Sequence, residues 1–237
     1  MTPHDSGSSA PAPYATVPRS LYPTIVAVFV ATLIISNVTA SKGVAFFTDA
    51  SFSLGPVQLL PINTDGAFFL FPLAYVLGDV LSEVYGFKAT RRAVFTGFLM
   101  LGLTSLCFWI AIELPSAPFY ENQESLETVV GVVPRLVLAG LLGYLVGQLL
   151  NSAVLVWMRN RFGTQRLWAR LIGSTVVGEF ADTLIFCSIA AGVIGISTGT
   201  DFVNYVLFGF VWKTLIEVVM LPVTYRVIAF VREREGV

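Results

Sequence analysis

Long apolar runs broken by short polar ones dominate the chain from residue 22 onward, and six of them are about 20 residues long, the length a bilayer requires of a helix. They cover 22–41, 67–85, 93–112, 134–157, 171–196 and 203–229. Two are atypical: the fifth carries acids and the sixth carries Lys213, Glu217 and Pro222, between strongly apolar flanks. The reading is an all-α polytopic membrane protein with six transmembrane helices. Its transport domain occupies 21–231, with a disordered tail at 1–20 rich in Pro, Ser and Ala and a short tail at 232–237. Between the first two spans, 43–66 holds a weakly apolar run with Pro56 and Pro61, readable as a short hairpin or a re-entrant piece.

Polar positions inside the spans carry the functional information. Asp79 and Glu83 stand at i, i+4 with Tyr75 one turn before them, so one helix face bears both acids. An acid near the bilayer centre costs about 2.5–3.5 kcal/mol on insertion scales and faces a protein interior or a wet cavity. Glu179 and Asp182 repeat the theme in the fifth span, on a face shared with Thr175 and Phe186. Each pair follows a glycine, Gly78 or Gly178. Cutting the chain into spans 1–3 and 4–6 makes the acid-bearing spans correspond, and three spans per half means opposite insertion. A 3+3 inverted repeat is therefore expected, with a site near the midplane.

Lys213 supplies a cation for these acids, or is satisfied by Glu217 at i+4. Span four adds Tyr144, Gln148 and Asn151 on one face, with Arg135 at its outer end, and Asn37 completes a polar lining from span one. Phe71, Tyr75, Phe186 and Trp212 are candidates to stack on a flat ring. Ala139, Gly143 and Gly147 form a small-residue row suited to close helix packing; a homodimer through that row is left open. Pro72 and Pro222 are expected to kink their helices.

Charge fixes orientation. Lys88, Arg91 and Arg92 follow span two, Arg159, Arg161, Arg166 and Arg170 follow span four, and Arg232 and Arg234 end the chain, so both termini are expected in the cytoplasm. Composition agrees with a membrane protein: the 237 residues are 55% hydrophobic and 12% charged, with a mean hydropathy of +0.78. Soluble domains carry about 25% charged residues. The balance of 14 basic against 15 acidic residues argues against nucleic acid as a partner. The lone histidine, His4, lies in the tail, so no His-ligated metal and no cofactor is expected. Cys107 and Cys187 fall in apolar segments and read as core packing without a disulfide. The G-x-x-x-x-G-K-[ST] loop of P-loop ATPases does not occur.

By inventory alone the cavity suits a polar or cationic small solute. The motifs go further. SN at 36–37, DGAFFLFPLAYVLGDVLSEVYGFKATRR from Asp65, GQLL at 147–150, GEFADTLIF at 178–186 and WKTLIEVVMLP at 212–222 together resemble the queuosine precursor transporter family of bacterial inner membranes, also called the vitamin uptake transporter family. The resemblance implies six helices, a cytoplasmic-membrane location and uptake of 7-cyano-7-deazaguanine or 7-aminomethyl-7-deazaguanine. It carries site roles onto Asn37, Asp79, Arg135, Gln148, Asp182 and Lys213, with Glu83 fitting the motif's form and Glu179 and Glu217 in more variable positions. The leading expectation is that Asp79 and Asp182, one from each half, hold the base's donor edge. Two alternatives remain: the substrate-capture subunit of a multi-component vitamin importer, and an intramembrane enzyme using paired acids, for which no peptidase signature surrounds Asp79 or Asp182.

Overall fold

A computed structural model describes residues 19–55, 57–162 and 167–237; the tail expected to be disordered lies outside the described residues up to position 18, as do Pro56 and Arg166. The described residues form six α-helices: α1 (Tyr22–Thr39), α2 (Phe71–Glu113), α3 (Gln123–Val130), α4 (Val133–Phe162), α5 (Leu167–Ala190) and α6 (Gly199–Glu235). Among the described residues five helical stretches are long and apolar enough to cross a membrane, one of them Phe68–Glu113. Their outward faces expose Leu99, Leu103, Trp109, Leu149, Val218 and Phe230, a surface suited to lipid and not to water. The protein is a multi-pass, all-α membrane protein.

The 43-residue α2 is not one straight rod. Gly86 adopts φ 75° and ψ 172°, a conformation open to glycine because it lacks a Cβ, and the helix folds back there. The rings of Tyr22 and Tyr85 lie 5.1 Å apart, and Gly66 packs on the Thr39 carbonyl, so the first arm of α2 runs antiparallel to α1. Tyr22 Oη donates to the Ala89 carbonyl while Gly97 meets Leu33 and Phe29, so the second arm runs alongside α1. The two arms occupy the second and third expected spans. Pro72, in contrast, causes no kink. It sits in the first turn of α2, where no intrahelical N–H bond is lost.

The first arm lies parallel to α6. Trp212 Nε1 donates to the Phe68 carbonyl at one end, Val76 and Val80 cluster with Ile228 and Val231, and Tyr85 Oη donates to Glu235 at the other end. Glu235 also accepts from the Leu21 N–H and the Ser20 hydroxyl, which joins both ends of the described chain to the Gly86 bend. α6 starts at Thr198, whose Oγ1 accepts from the Asp201 N–H, and ends on Gly236 in the left-handed region with Arg232 and Arg234 in its last turn, both favourable to the helix dipole.

α4 and α5 form the most intimate helix pair. A Cβ on Gly147 would stand 2.8 Å from the Gly178 carbonyl, and one on Gly143 would stand 2.7 Å from Asp182 Oδ1. The small-residue row of α4 therefore packs on α5 of the same chain. Asn37 at the end of α1 and Val137 near the start of α4 line one cavity, so these first helices of the two halves run in opposite directions.

Residues 43–65 form two nested antiparallel pairs, β1 (Gly43–Phe46) with β4 (Ile62–Asp65) and β2 (Phe52–Leu54) with β3 (Val57–Leu60). This hairpin is pinned to the start of α6. Asn204 accepts from the Asn63 N–H and donates to the Gln58 carbonyl, and Asn63 Nδ2 donates to Asp201. The short α3, in the loop between the halves, is the other element the apolar periodicity did not announce. Cys187 is buried as expected, but Cys107 is exposed on the lipid-suited face.

Candidate functional site

The centre of the membrane domain is an ion pair. Lys213 Nζ lies 2.6 Å from Asp182 Oδ2, with side-chain exposures of 11% and 23%. Lys213 thus pairs across α5 and α6 and not with Glu217 on its own helix. Its ammonium also stands 5.5 Å from the Phe71 ring centroid, over the aromatic face. Two cavities of about 240 Å³ each meet at Asp182 and Tyr144.

The first cavity lies toward the hairpin end. Phe71, Phe98 and Phe186 give it aromatic walls, and Asn37, Asp65, Asp182 and Lys213 supply its polar groups. Asn37 Nδ2 donates to the Leu33 carbonyl of its own helix, which leaves its oxygen for the cavity. The second cavity lies toward the Gly86 end and is ringed by polar residues: Tyr75, Gln148, Asn151, Thr175, Glu179 and Asp182 surround it. The faces read from periodicity on α4 and α5 are the faces that line it.

Not all the expected residues converge. Asp79 lines neither cavity. It lies one helical turn past Tyr75, toward the bend, where its charged neighbour is Glu83 and where it faces Glu217 from α6. A shared helix face was a sound inference, but one turn is about 5.4 Å along the axis, which carries a short Asp side chain below the Asp182 level. Asp79 and Asp182, expected to hold one base edge together, therefore do not line a common cavity here. Glu83 is exposed and sits 3.5 Å from Arg232, at the basic end. Arg135 is exposed at the start of α4, beside Gly192. Trp212 stacks on Phe208 with centroids 5.9 Å apart and lines neither cavity.

Asp65 and Tyr205 are the residues the sequence reading passed over. Asp65 is buried, accepts from Tyr205 Oη at 2.6 Å and from the Ala67 N–H at 2.9 Å, and opens onto the first cavity. Burial pushes its carboxyl above the usual range, against the opposing pull of the Tyr205 and Ala67 hydrogen bonds and of Lys213. Its signal was its place at the head of the DGAFFLFP motif; Tyr205 and the third aromatic wall, Phe98, had none beyond apolar context.

Long apolar helices around an interior with solute-sized cavities define a polytopic α-helical membrane protein. The chain belongs to the vitamin uptake transporter family, whose pattern it matches over residues 65–227. A Bacillus subtilis protein named "Probable queuosine precursor transporter" is 33% identical over 149 residues, 62% of this chain and 64% of that protein. The Escherichia coli "Queuosine precursor transporter" is 27% identical over 57% of this chain and 58% of its own length. A Haemophilus influenzae relative named as in Bacillus is 25% identical, covering 58% of this chain and 56% of that protein. The chain thus spans about three fifths of the length of the curated relatives it matches. No solved structure matches it.

Proposed function

We infer that this protein imports queuosine precursors, 7-cyano-7-deazaguanine or 7-aminomethyl-7-deazaguanine, across the cytoplasmic membrane, with both termini in the cytoplasm. The observation that carries the reading is the Asp182–Lys213 pair at the edge of an aromatic-walled cavity. A flat base is sandwiched by Phe71, Phe98 and Phe186, stacking being worth about 1–3 kcal/mol per base in other proteins. Its adjacent N–H groups donate to the Asp182 carboxylate, while the Asn37 oxygen accepts a further N–H. Lys213 holds the Asp182 carboxylate in place, and it partly neutralises a charge that would otherwise be costly inside a membrane. The names of the relatives support the substrate class, and family membership supports transport over an enzymatic role.

Orientation rests on charge. Lys88, Arg91 and Arg92 beside the Gly86 bend, and Arg232 and Arg234 at the end of α6, gather at one end, the end a positive-inside rule assigns to the cytoplasm. The two halves are proposed as an inverted repeat that rocks about the Asp182 level and exposes one cavity, then the other.

The test is rescue of bacteria unable to make or import the precursors. With either base supplied at low concentration, expression of this protein restores queuosine in tRNA. No rescue despite good membrane expression would sink the substrate assignment.

A further inference from the structure

The ion pair leaves a carboxylate out. Glu179 stands one turn before Asp182 on α5, half-buried at the wall of the second cavity, and its Oε2 is shut off from solvent with no hydrogen-bond partner among the described residues. The groups that face it come from every helix packed around it: Tyr75 from α2, whose hydroxyl points at it, Tyr144 and Gln148 from α4 across the cavity, Asp182 on α5, and Lys213 and Glu217 from α6. Lys213 is the one cation among the described residues lining either cavity, and Asp182 holds it at 2.6 Å. An ionised Glu179 would face two acids, Asp182 and Glu217, and would have to share Lys213 with Asp182.

We propose that Glu179 is a proton-binding site, and that the protein is a symporter in which a proton on Glu179 enters with each base. The inference rests on the base-carrier reading above and adds its driving force. With the proton on, Glu179 is neutral and Lys213 stays on Asp182, the arrangement of this structure, which presents Asp182 to the base. With the proton released to water on the cytoplasmic side, the Glu179 carboxylate competes for Lys213. The two acids stand at i, i+3, within the swing of a lysine side chain. Lys213 is then drawn from Asp182, and the base loses its oriented acceptor. Proton and base therefore favour each other's binding, and the coupling is reciprocal. No bond other than the carboxyl O–H is made or broken.

Purified protein in liposomes, assayed with labelled 7-cyano-7-deazaguanine, tests this in two modes. Under an acid-outside gradient the wild-type protein accumulates base, up to about tenfold per unit of pH difference, the limit for one proton per base. Glu179→Gln, a permanent mimic of the protonated side chain, keeps equilibrium exchange of internal for external base yet loses gradient-driven accumulation. Accumulation by Glu179→Gln at the wild-type level would overturn the proposal, as would wild-type accumulation indifferent to the gradient. Absence of exchange in the wild-type protein would instead overturn the base-carrier reading itself. A second measurement stands if the variant fails to fold: wild-type base affinity must rise as pH falls from neutral, and a flat profile contradicts the proposal.

Discussion

Lys213 Nζ and Asp182 Oδ2 stand 2.6 Å apart across the contact of α5 with α6, at the junction of an aromatic cavity and a polar one. Removing one partner of a buried pair strands the other charge, at a cost of about 3–5 kcal/mol when burial is full. Asp182→Asn and Lys213→Gln are each expected to lower the melting temperature in detergent. The double variant recovers much of that loss, because no charge is stranded, yet it does not transport. Melting curves and uptake measured on the three variants separate the two effects. A double variant that transports normally would contradict the role given to the pair.

Helix proximity makes a second prediction. Gly147→Ala forces a methyl to within 2.8 Å of the Gly178 carbonyl, a backbone atom that cannot swing away. The variant is expected to separate α4 from α5 and to lose both stability and uptake. Gly102→Ala meets nothing within 4 Å and serves as its control, gaining up to about 1 kcal/mol of helix propensity. Equal behaviour of the two in thermal melts would contradict the packing described.

The aromatic walls predict a third outcome. Phe98→Ala removes one stacking face of the first cavity and is expected to raise the half-saturation concentration of base uptake by about tenfold, within the range of a single stacking contact. Trp212→Phe, outside both cavities, should leave that concentration unchanged while disturbing the Phe68 contact. Concentration-dependent uptake distinguishes them.

Asp65 gives a pH dependence with a definite sign. Its carboxyl is raised by burial in the folded protein, so its stabilising contribution is present at low pH and is lost as pH rises through the folded-state value. The melting-temperature advantage of wild type over Asp65→Asn is therefore expected to shrink as pH rises from the ordinary Asp range toward the raised folded-state value. An advantage that grows over the same interval would show that the Tyr205 and Ala67 hydrogen bonds outweigh burial.

Apolar run length made the membrane helices legible in the sequence, and helical periodicity grouped Tyr144, Gln148 and Asn151, and Thr175, Glu179 and Asp182, on faces that line one cavity. Depth was harder to read. Tyr75 and Asp79 share a face, but the longer Tyr75 reaches Glu179 while Asp79 falls a turn away, because side-chain length and the relative height of α5 are not written in one helix's spacing. Glu83 was placed by the same periodicity and lies outside, at the basic end with Arg232. The Asp65–Tyr205 bond joins residues 140 positions apart, and local pattern carries no trace of such a meeting. The hairpin over 43–65 was ambiguous because its strands are three or four residues long, too short for alternation to show.

Uptake of labelled 7-cyano-7-deazaguanine into liposomes containing this protein alone, with no ATP and no second subunit, bears most directly on the central assignment. Saturable uptake by the wild-type protein, absent from the Asp182→Asn/Lys213→Gln double variant that still melts cooperatively, is expected. Equal uptake by both proteins would remove the ion pair from the substrate site. No uptake by well-folded wild-type protein would contradict the carrier reading and favour a capture subunit that depends on a partner.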